Sequence, residues 1–397
     1  MKYLCSILFL SFFVLSNGQT KNFNCNKTIE TILSKELNEE RSFWVGLPNN
    51  FDSTVSYPVI YLLDAEDHFD ITYALTNELA KNDKMPHHIL IGIQKIDDIQ
   101  RWKDLSFNAK NPIDYDTTIA PDFFNNPNNL GGGRQFLKYI ESELIPYVGK
   151  KYHTNGYNIL IGHSLGGYFG AYAIPFQNMF SAFQLYDPSV FCNSNEAIIN
   201  VSKLPLNFST NVFISSALAK KEGDSYGKKI ALNAIDSLIR TIRNYPKIRM
   251  GSKLYPEEGH LSMYMYSLID GFSFLYEGFE FGYILPTSKV TIDEYIAHYQ
   301  KLSKNTGFNF SPPIDGIRWI AYANHHQKKW KEALKGYHLC EKYFLNDYEV
   351  NMEIAECYMN LNDMKLSLKY YTICDTLKPN NIDINNKIKE LQLKINE

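Results

Sequence analysis

Tyr157-Asn158-Ile159-Leu160-Ile161-Gly162-His163-Ser164-Leu165-Gly166-Gly167 is the stretch on which the reading of this chain turns. Residues 157–162 form a near-continuous apolar run of strand length, as expected of a central parallel strand covered on both faces. Residues 165–174 are small and apolar and read as a helix. Between them, Gly162-His163-Ser164-Leu165-Gly166 matches G-x-S-x-G, a sharp strand-to-helix turn that lifts a serine Oγ clear of the backbone. The glycines two residues either side of Ser164 let strand and helix approach each other. Five positions with three fixed also arise as an ordinary glycine-rich turn. The placement between a strand and a helix is what points to Ser164 as a nucleophile.

A serine hydroxyl is a weak nucleophile near neutrality and needs a base. In a strand–turn–helix site of this kind the partners follow in the order Ser, acid, His. Five histidines follow Ser164, and four of them (His298, His325, His326, His338) fall in a C-terminal helical region. His260 alone sits in a loop after a strand, in Pro256-Glu257-Glu258-Gly259-His260, and is the expected general base; the alternative is a surface histidine beside a carboxylate pair. The acid is expected after the strand at 212–216. Glu222 is the first candidate and Asp224 the second, with a dyad or a carboxylate elsewhere left open. The oxyanion needs two backbone N–H donors. Leu165 would give one, and Ala65 or Glu66, after the strand at 57–64, the other. His68, Arg101 and Trp102 are candidate substrate contacts. Each has a bland counterpart: a structural histidine, an Arg101–Asp104 pair bracing a loop, and local packing of Trp102. Tyr186-Asp187-Pro188-Ser189 follows another strand and is placed at the cleft edge.

Outward from this site, residues 42–47, 57–64, 89–94, 157–162, 183–186, 212–216 and 253–255 read as strands. Residues 136–148 have helical periodicity, preceded by Gly131-Gly132-Gly133 and interrupted near Pro146. Strands alternating with helices predict an α/β sheet. Residues 108–129, rich in Asn, Pro and Asp, predict a long surface loop. A break at 303–313 leads into an internal repeat: Ala321/Ala355, Trp330/Met364, Ala333/Ser367, Tyr337/Tyr371 and Cys340/Cys374 are each 34 residues apart. That is the tetratricopeptide period, although chance agreement within helical sequence is the alternative. Two such helix pairs bury little alone, so they are expected to pack on a helix around 292–302 and on the catalytic domain. The expected organisation is a signal peptide (1–18), an esterase domain (19–290) and a helical tetratricopeptide-like domain (291–397).

The chain has 397 residues, 45% apolar and 21% charged, with net charge −3. This composition supports a packed core, and its charge gives no electrostatic attraction for nucleic acid. Lys2 followed by the apolar residues 4–15 and Ser16-Asn17-Gly18 reads as a signal peptide, hence an exported protein, periplasmic or secreted. A retained anchor is the competing reading, but the run is shorter than the ~20 residues a span needs. Cys25, Cys192, Cys340, Cys357 and Cys374 would remain after cleavage, an odd count that argues against a fully paired disulfide framework. No CxxC is present, and neither a metal nor a cofactor is implied.

Arg41-Ser42-Phe43-Trp44-Val45-Gly46-Leu47-Pro48 and Tyr57-Pro58-Val59-Ile60-Tyr61-Leu62-Leu63-Asp64 resemble the opening of the putative esterase family, which includes esterase D, the ferric enterobactin esterases and the carbohydrate feruloyl esterases. Arg101 to Leu105, Gly131 to Gly133, Gly162 to Gly167, Asp187-Pro188-Ser189 and Glu258-Gly259-His260 continue the likeness, over about residues 40–280. The resemblance implies an α/β-hydrolase fold, metal-independent ester hydrolysis and a Ser164–His260 pair. The sequence departs from the family pattern at Ala65, where glycine is usual, and at Ser106-Phe107, where Thr-Pro is usual. The C-terminal region resembles the tetratricopeptide extension of some bacterial esterases of this group, with its Pro312-Pro313 entry. The expected substrate is a small-molecule or polysaccharide-linked ester: a siderophore, feruloyl, acetyl or small acyl ester. The alternatives are a non-catalytic binding or scaffold protein on a hydrolase fold, and an acyltransferase. The repeats would serve either a protein partner or the stability of the catalytic domain.

Overall fold

The computed structural model describes residues 27–49, 51–108, 124, 126–176, 179–218, 226–306, 309–341 and 346–396. The expected signal peptide, Cys25, and most of the expected loop at 108–129 lie outside these. Eight strands form one sheet in the order β1-β2-β4-β3-β5-β6-β7-β8. They are β1 (Lys27–Ser34), β2 (Glu39–Gly46), β3 (Tyr57–Leu62), β4 (Ile89–Ile93), β5 (Thr154–His163), β6 (Ala182–Tyr186), β7 (Thr210–Ala217) and β8 (Ile248–Tyr255). β1 and β2 are antiparallel to their neighbours, and all pairings from β4 to β8 are parallel. This is the α/β-hydrolase architecture.

Seven of the eight strands were legible in the sequence, and the central ones, β3 to β7, are largely buried apolar runs covered on two faces. The strand β3 divides its side chains by period two: Val59 and Tyr61 enter one core, Ile60 and Leu62 the other. β1 has no such run. It is an edge strand with Ile29 and Leu33 exposed, and its sequence does not distinguish it from a loop.

Helices cover both faces: α1 (Ala65–Lys81), α2 (Asp98–Leu105), α3 (Gly133–Tyr139), α4 (Ile145–Tyr152), α5 (Leu165–Ala173), α6 (Cys192–Val201), α7 (Tyr226–Arg243) and α8 (Met263–Leu275). The expected interruption at Pro146 takes the form of a π turn, Ile140–Leu144, joining α3 to α4. The wider turn takes in the residue whose N–H is missing without breaking the rod.

Six further helices follow: α9 (Ile292–Thr306), α10 (Ile314–His326), α11 (Trp330–Glu341), α12 (Tyr348–Asn360), α13 (Met364–Leu377) and α14 (Ile382–Asn396). The starts of α10 and α11 recur 34 residues on at α12 and α13, and α14 begins a third round. The left-handed turn residues Lys328 and Asn362 share the offset. Ala321, Ala355, Ala333, Ser367 and the Cys340/Cys374 pair are all fully buried, as equivalent positions in stacked helix pairs should be. These helices add to the face of the sheet that carries α1 and α8. Phe310 packs against Tyr276 and Phe279, Tyr299 against Phe279, and the Tyr299 hydroxyl donates to the Phe279 carbonyl at 3.0 Å. One apolar core therefore runs from Ile60 through Tyr157 and Phe272 to Leu391. Cys192, Cys340, Cys357 and Cys374 are buried.

Candidate active site

Ser164 joins β5 to α5 with φ 58° and ψ −116°, a backbone region that residues with a Cβ rarely occupy. The turn is tight enough that a Cβ on Gly162 would lie 2.2 Å from the Gly166 carbonyl oxygen, so only glycine fits there. The surrounding loops hold the turn in place. Ser164 N–H donates to Tyr186 O at 2.9 Å, and Ser189 N–H donates to Ser164 O at 3.0 Å. Two other site positions share the left-handed strain, Asp64 (φ 53°) after β3 and Asp187 (φ 42°) after β6. Strained residues thus collect at the carboxyl ends of the parallel strands, where open α/β sheets place their ligands.

His260 lies in the loop after β8. Its Nδ1 is 2.6 Å from Asp187 Oδ2. Asp187 Oδ2 also accepts from Lys228 Nζ at 3.0 Å, and Oδ1 accepts from the Ala217 N–H at 3.3 Å. The Asp187 side chain is 4% exposed. Burial works against its charge, yet the His260 bond and the Lys228 cation outweigh it and hold the carboxyl below its ordinary range. His163, next to Ser164, donates from Nε2 to the His260 carbonyl at 2.8 Å and so ties the histidine loop to the elbow. Burial, with His260 and His68 nearby, pushes the His163 imidazole down to about 4. It is a neutral strut at ordinary pH.

Ser164, His163, His260, His68 and Tyr264 line one open cleft of about 540 Å³. In this structure Ser164 Oγ is 3.4 Å from Ser189 Oγ and makes no hydrogen bond to the His260 ring. Serine–imidazole contacts are often loose before a ligand binds and tighten with it. Leu165 and Ala65 are the first residues of α5 and α1, and Glu66 the second of α1, so their N–H groups belong to helix turns that have no acceptor of their own. The helix dipole adds partial positive charge at each of these two N-termini. The Glu66 side chain accepts from Lys95 N at 3.3 Å.

The remaining candidates divide. His68 stacks on Tyr264 at 3.8 Å, edge-on to His163, and lines the cleft; burial lowers its pKa. Arg101 also lines the cleft, but its guanidinium is spent on Asp64 through paired bonds of 2.6 and 2.8 Å. The Arg101–Asp104 pair considered from sequence does not form: Asp104 pairs instead with the buried Arg41 at 2.7 Å. Trp102 is not a lining residue and packs edge-on against Phe124 at 4.9 Å. Glu222 and Asp224 lie outside the described residues. The position expected of them, on His260 Nδ1, is held by Asp187, at the end of β6 rather than β7. The sequence placed Asp187 at the cleft edge without giving it this partner. Its signal was a carboxylate directly after a buried strand, where burial demands a cationic or donating partner. Ile71, Leu261 and Met265 form an exposed apolar rim. Among the described residues no group of His, Cys, Asp and Glu is arranged to hold a metal ion.

Residues 34–190 match the model of the family described as "Putative esterase". An IroE-like serine hydrolase from Shewanella oneidensis superposes with a TM-score of 0.65 at 26% identity, covering 80% of this chain and 99% of that one. From Bacillus subtilis, the uncharacterised protein YjcH is 29% identical over 42% of this chain and 62% of its own length. The ferri-bacillibactin esterase BesA is 27% identical over 39% of this chain and 55% of its own length. The chain thus spans about three fifths of the length of the curated relatives it matches.

Proposed function

We propose, on the premise that the esterase-family segment and the α/β-hydrolase sheet form one catalytic body, that this chain is a serine hydrolase of carboxylic esters. The observation that carries the reading is the strained elbow at Ser164 sharing a cleft with an imidazole whose Nδ1 is held by a buried carboxylate. With Asp187 on Nδ1, the His260 tautomer leaves Nε2 free to accept a proton. Ser164 Oγ would attack the ester carbonyl as its proton passes to His260 Nε2. The N–H groups of Leu165 and Ala65, or of Glu66, would receive the oxyanion. The alkoxide would leave with the proton from His260, and water, deprotonated by the same imidazole, would release the acid and restore Ser164. One oxyanion donor is typically worth about 3 kcal/mol in the transition state.

A siderophore, feruloyl, acetyl or small acyl ester fits this reading. The apolar rim of Ile71, Leu261 and Met265 favours an ester with an apolar portion beside the scissile bond. The helical block is tetratricopeptide-like in its 34-residue offset, and we assign it to stabilising the catalytic body, since the two share a core. Export rests on the N-terminal residues 1–18; among the described residues no helix is long and apolar enough to cross a membrane.

The test is labelling with a fluorophosphonate probe, which needs an activated serine and no knowledge of the substrate. Labelling of the parent, its loss in Ser164→Ala and marked slowing in His260→Ala are expected. A folded parent that does not label would overturn the reading in favour of a binding protein. Product analysis with an ester substrate then separates hydrolysis, which yields free acid, from transfer, which yields an acylated acceptor.

A further inference from the structure

Helix α8 has a single charged residue along Met263–Leu275, Asp270, and both of its faces are apolar. The inner face packs into the core through Met263, Leu268 and Phe272. The outer face leaves Met265 46% and Ile269 39% exposed, and Leu261, just ahead of the helix, is 74% exposed. A surface helix ordinarily turns charged side chains outward, and an apolar outer face marks a place that something covers. Leu261, Met265 and Ile269 are spaced by four residues, so they form one stripe about 12 Å long.

The stripe begins inside the catalytic cleft. Leu261 and Met265 line it together with Ile71 of α1, and the hydroxyls of Thr72 and Tyr264, 3.2 Å apart, join the two helices. The charged residues of the cleft answer one another: Arg101 pairs with Asp64 at 2.6 Å, and Lys95 lies between Asp67 at 3.6 Å and Asp98 at 3.4 Å. Exposed apolar surface in the cleft comes from Ile71 and from the stripe. The route of the proton decides which part of an ester meets it. The imidazole that takes the Ser164 proton returns it to the departing alkoxide, so the alcohol oxygen must come within hydrogen-bond reach of the His260 ring. Leu261 follows His260 directly. The bonds from Met263 N–H to Gly259 O at 3.2 Å and from Tyr264 N–H to Leu261 O at 3.3 Å wind that segment straight into α8. An alcohol leaving past His260 therefore has the stripe beside it.

We infer that Leu261, Met265 and Ile269 hold the alcohol portion of the substrate, and that this substrate is the ester of an extended apolar alcohol rather than of a short or charged one. The inference rests on the Ser164–His260 reading. Continuity with the cleft assigns the stripe to substrate and not to a second protein, because a chain seated on Leu261 and Met265 would lie across the entrance to Ser164 and shut it. The stripe is open along its outer side, so a bound alkyl chain is covered on one side only. Full burial of a methylene is worth about fourfold in binding, and one-sided cover about twofold, for each methylene of the alcohol.

The test is kcat/KM of the full chain, from acid release below the micellar range, on ethyl, butyl, hexyl and octyl acetate and on ethyl butyrate, hexanoate and octanoate. Thermal melting and light scattering accompany it. The value should rise about twofold per methylene along the alkyl acetates and change little along the ethyl esters. The octyl-to-ethyl acetate ratio should fall several-fold in Leu261→Gln, Met265→Gln and Ile269→Gln. It should stay at the parental value in Ile199→Gln, an exposed apolar position on α6 outside the cleft lining. Should Ile269→Gln fail to fold, the more exposed Leu261 and Met265 carry the comparison. A flat alkyl series, a rise along the acyl series instead, or no hydrolysis of either series by a parent that labels with the fluorophosphonate overturns the inference and leaves the serine mechanism standing. A parental dimer that the substitutions convert to monomer, with the ratio unchanged, gives the stripe to a second copy of the chain and also overturns it. A folded parent that does not label removes the underlying reading instead.

Discussion

Replacing Asp187 by Asn tests which carboxylate serves His260. Both partners of Oδ2 are donors, and Oδ1 faces only the long Ala217 N–H bond at 3.3 Å. The amide should therefore set its carbonyl oxygen at the Oδ2 position and its NH2 toward Ala217. The His260 tautomer survives, and the loss is one of charge: the imidazolium formed in the transition state loses its carboxylate. At a separation near 5 Å and an effective dielectric of about 20, one such charge term is worth roughly 3 kcal/mol. With loss of the charge-assisted hydrogen bond, a total near 4 kcal/mol corresponds to a fall on the order of 10³ in kcat/KM. The assay is hydrolysis of phenyl acetate by Asp187→Asn, Glu222→Gln and Asp224→Asn, with melting curves alongside. Asp187→Asn should lose activity by that factor and the other two by little. Activity of Asp187→Asn within tenfold of the parent, or a greater loss in Glu222→Gln, would refute the reasoning and return the acid to the loop after β7.

Three further outcomes follow from the same structure. Ser164→Gly should abolish labelling yet raise the melting temperature by a few degrees, since relief of a left-handed seryl backbone returns about 1 kcal/mol after the entropy cost of glycine; no rise would mean the elbow holds no strain. A chain ending at residue 290 should be insoluble or melt far lower, because Tyr276 and Phe279, each 2% exposed, lose the cover of Tyr299 and Phe310; a soluble, equally stable truncation would contradict the shared core. Fully buried His88, bonded to Tyr276 and Pro86, has its pKa pushed down by burial to about 3. The unfolded chain binds a proton there below the ordinary histidine range while the native state does not, so stability present above about pH 6.5 is lost as pH falls, by up to about 1.4 kcal/mol per pH unit. Denaturant titrations of His88→Gln should show a shallower decline over that window, and an unchanged slope would exclude this source.

The sequence by itself determined what is local. The central strand positions followed from apolar runs covered on both faces, the elbow from glycines spaced about Ser164, His260 from its place after the last strand, and the 34-residue offset from small buried residues recurring along one helix face. It could not mark β1, whose edge position leaves no two-faced pattern, nor tell that the helix at Pro146 would continue through a π turn. Only the tertiary structure decided which charged groups meet. Arg101 turned to Asp64 and Asp104 to Arg41, although chain proximity suggested pairing them with each other. Asp187 reached His260 because β6 lies two strands from β8 in the sheet, with β7 between them, so that a carboxylate 73 residues away in sequence is brought within hydrogen-bond distance. The physical reason is one of range. Strand, turn and helix patterns are set by neighbours a few residues apart, whereas an ion pair is set by the order of strands and by which desolvated charges must find partners.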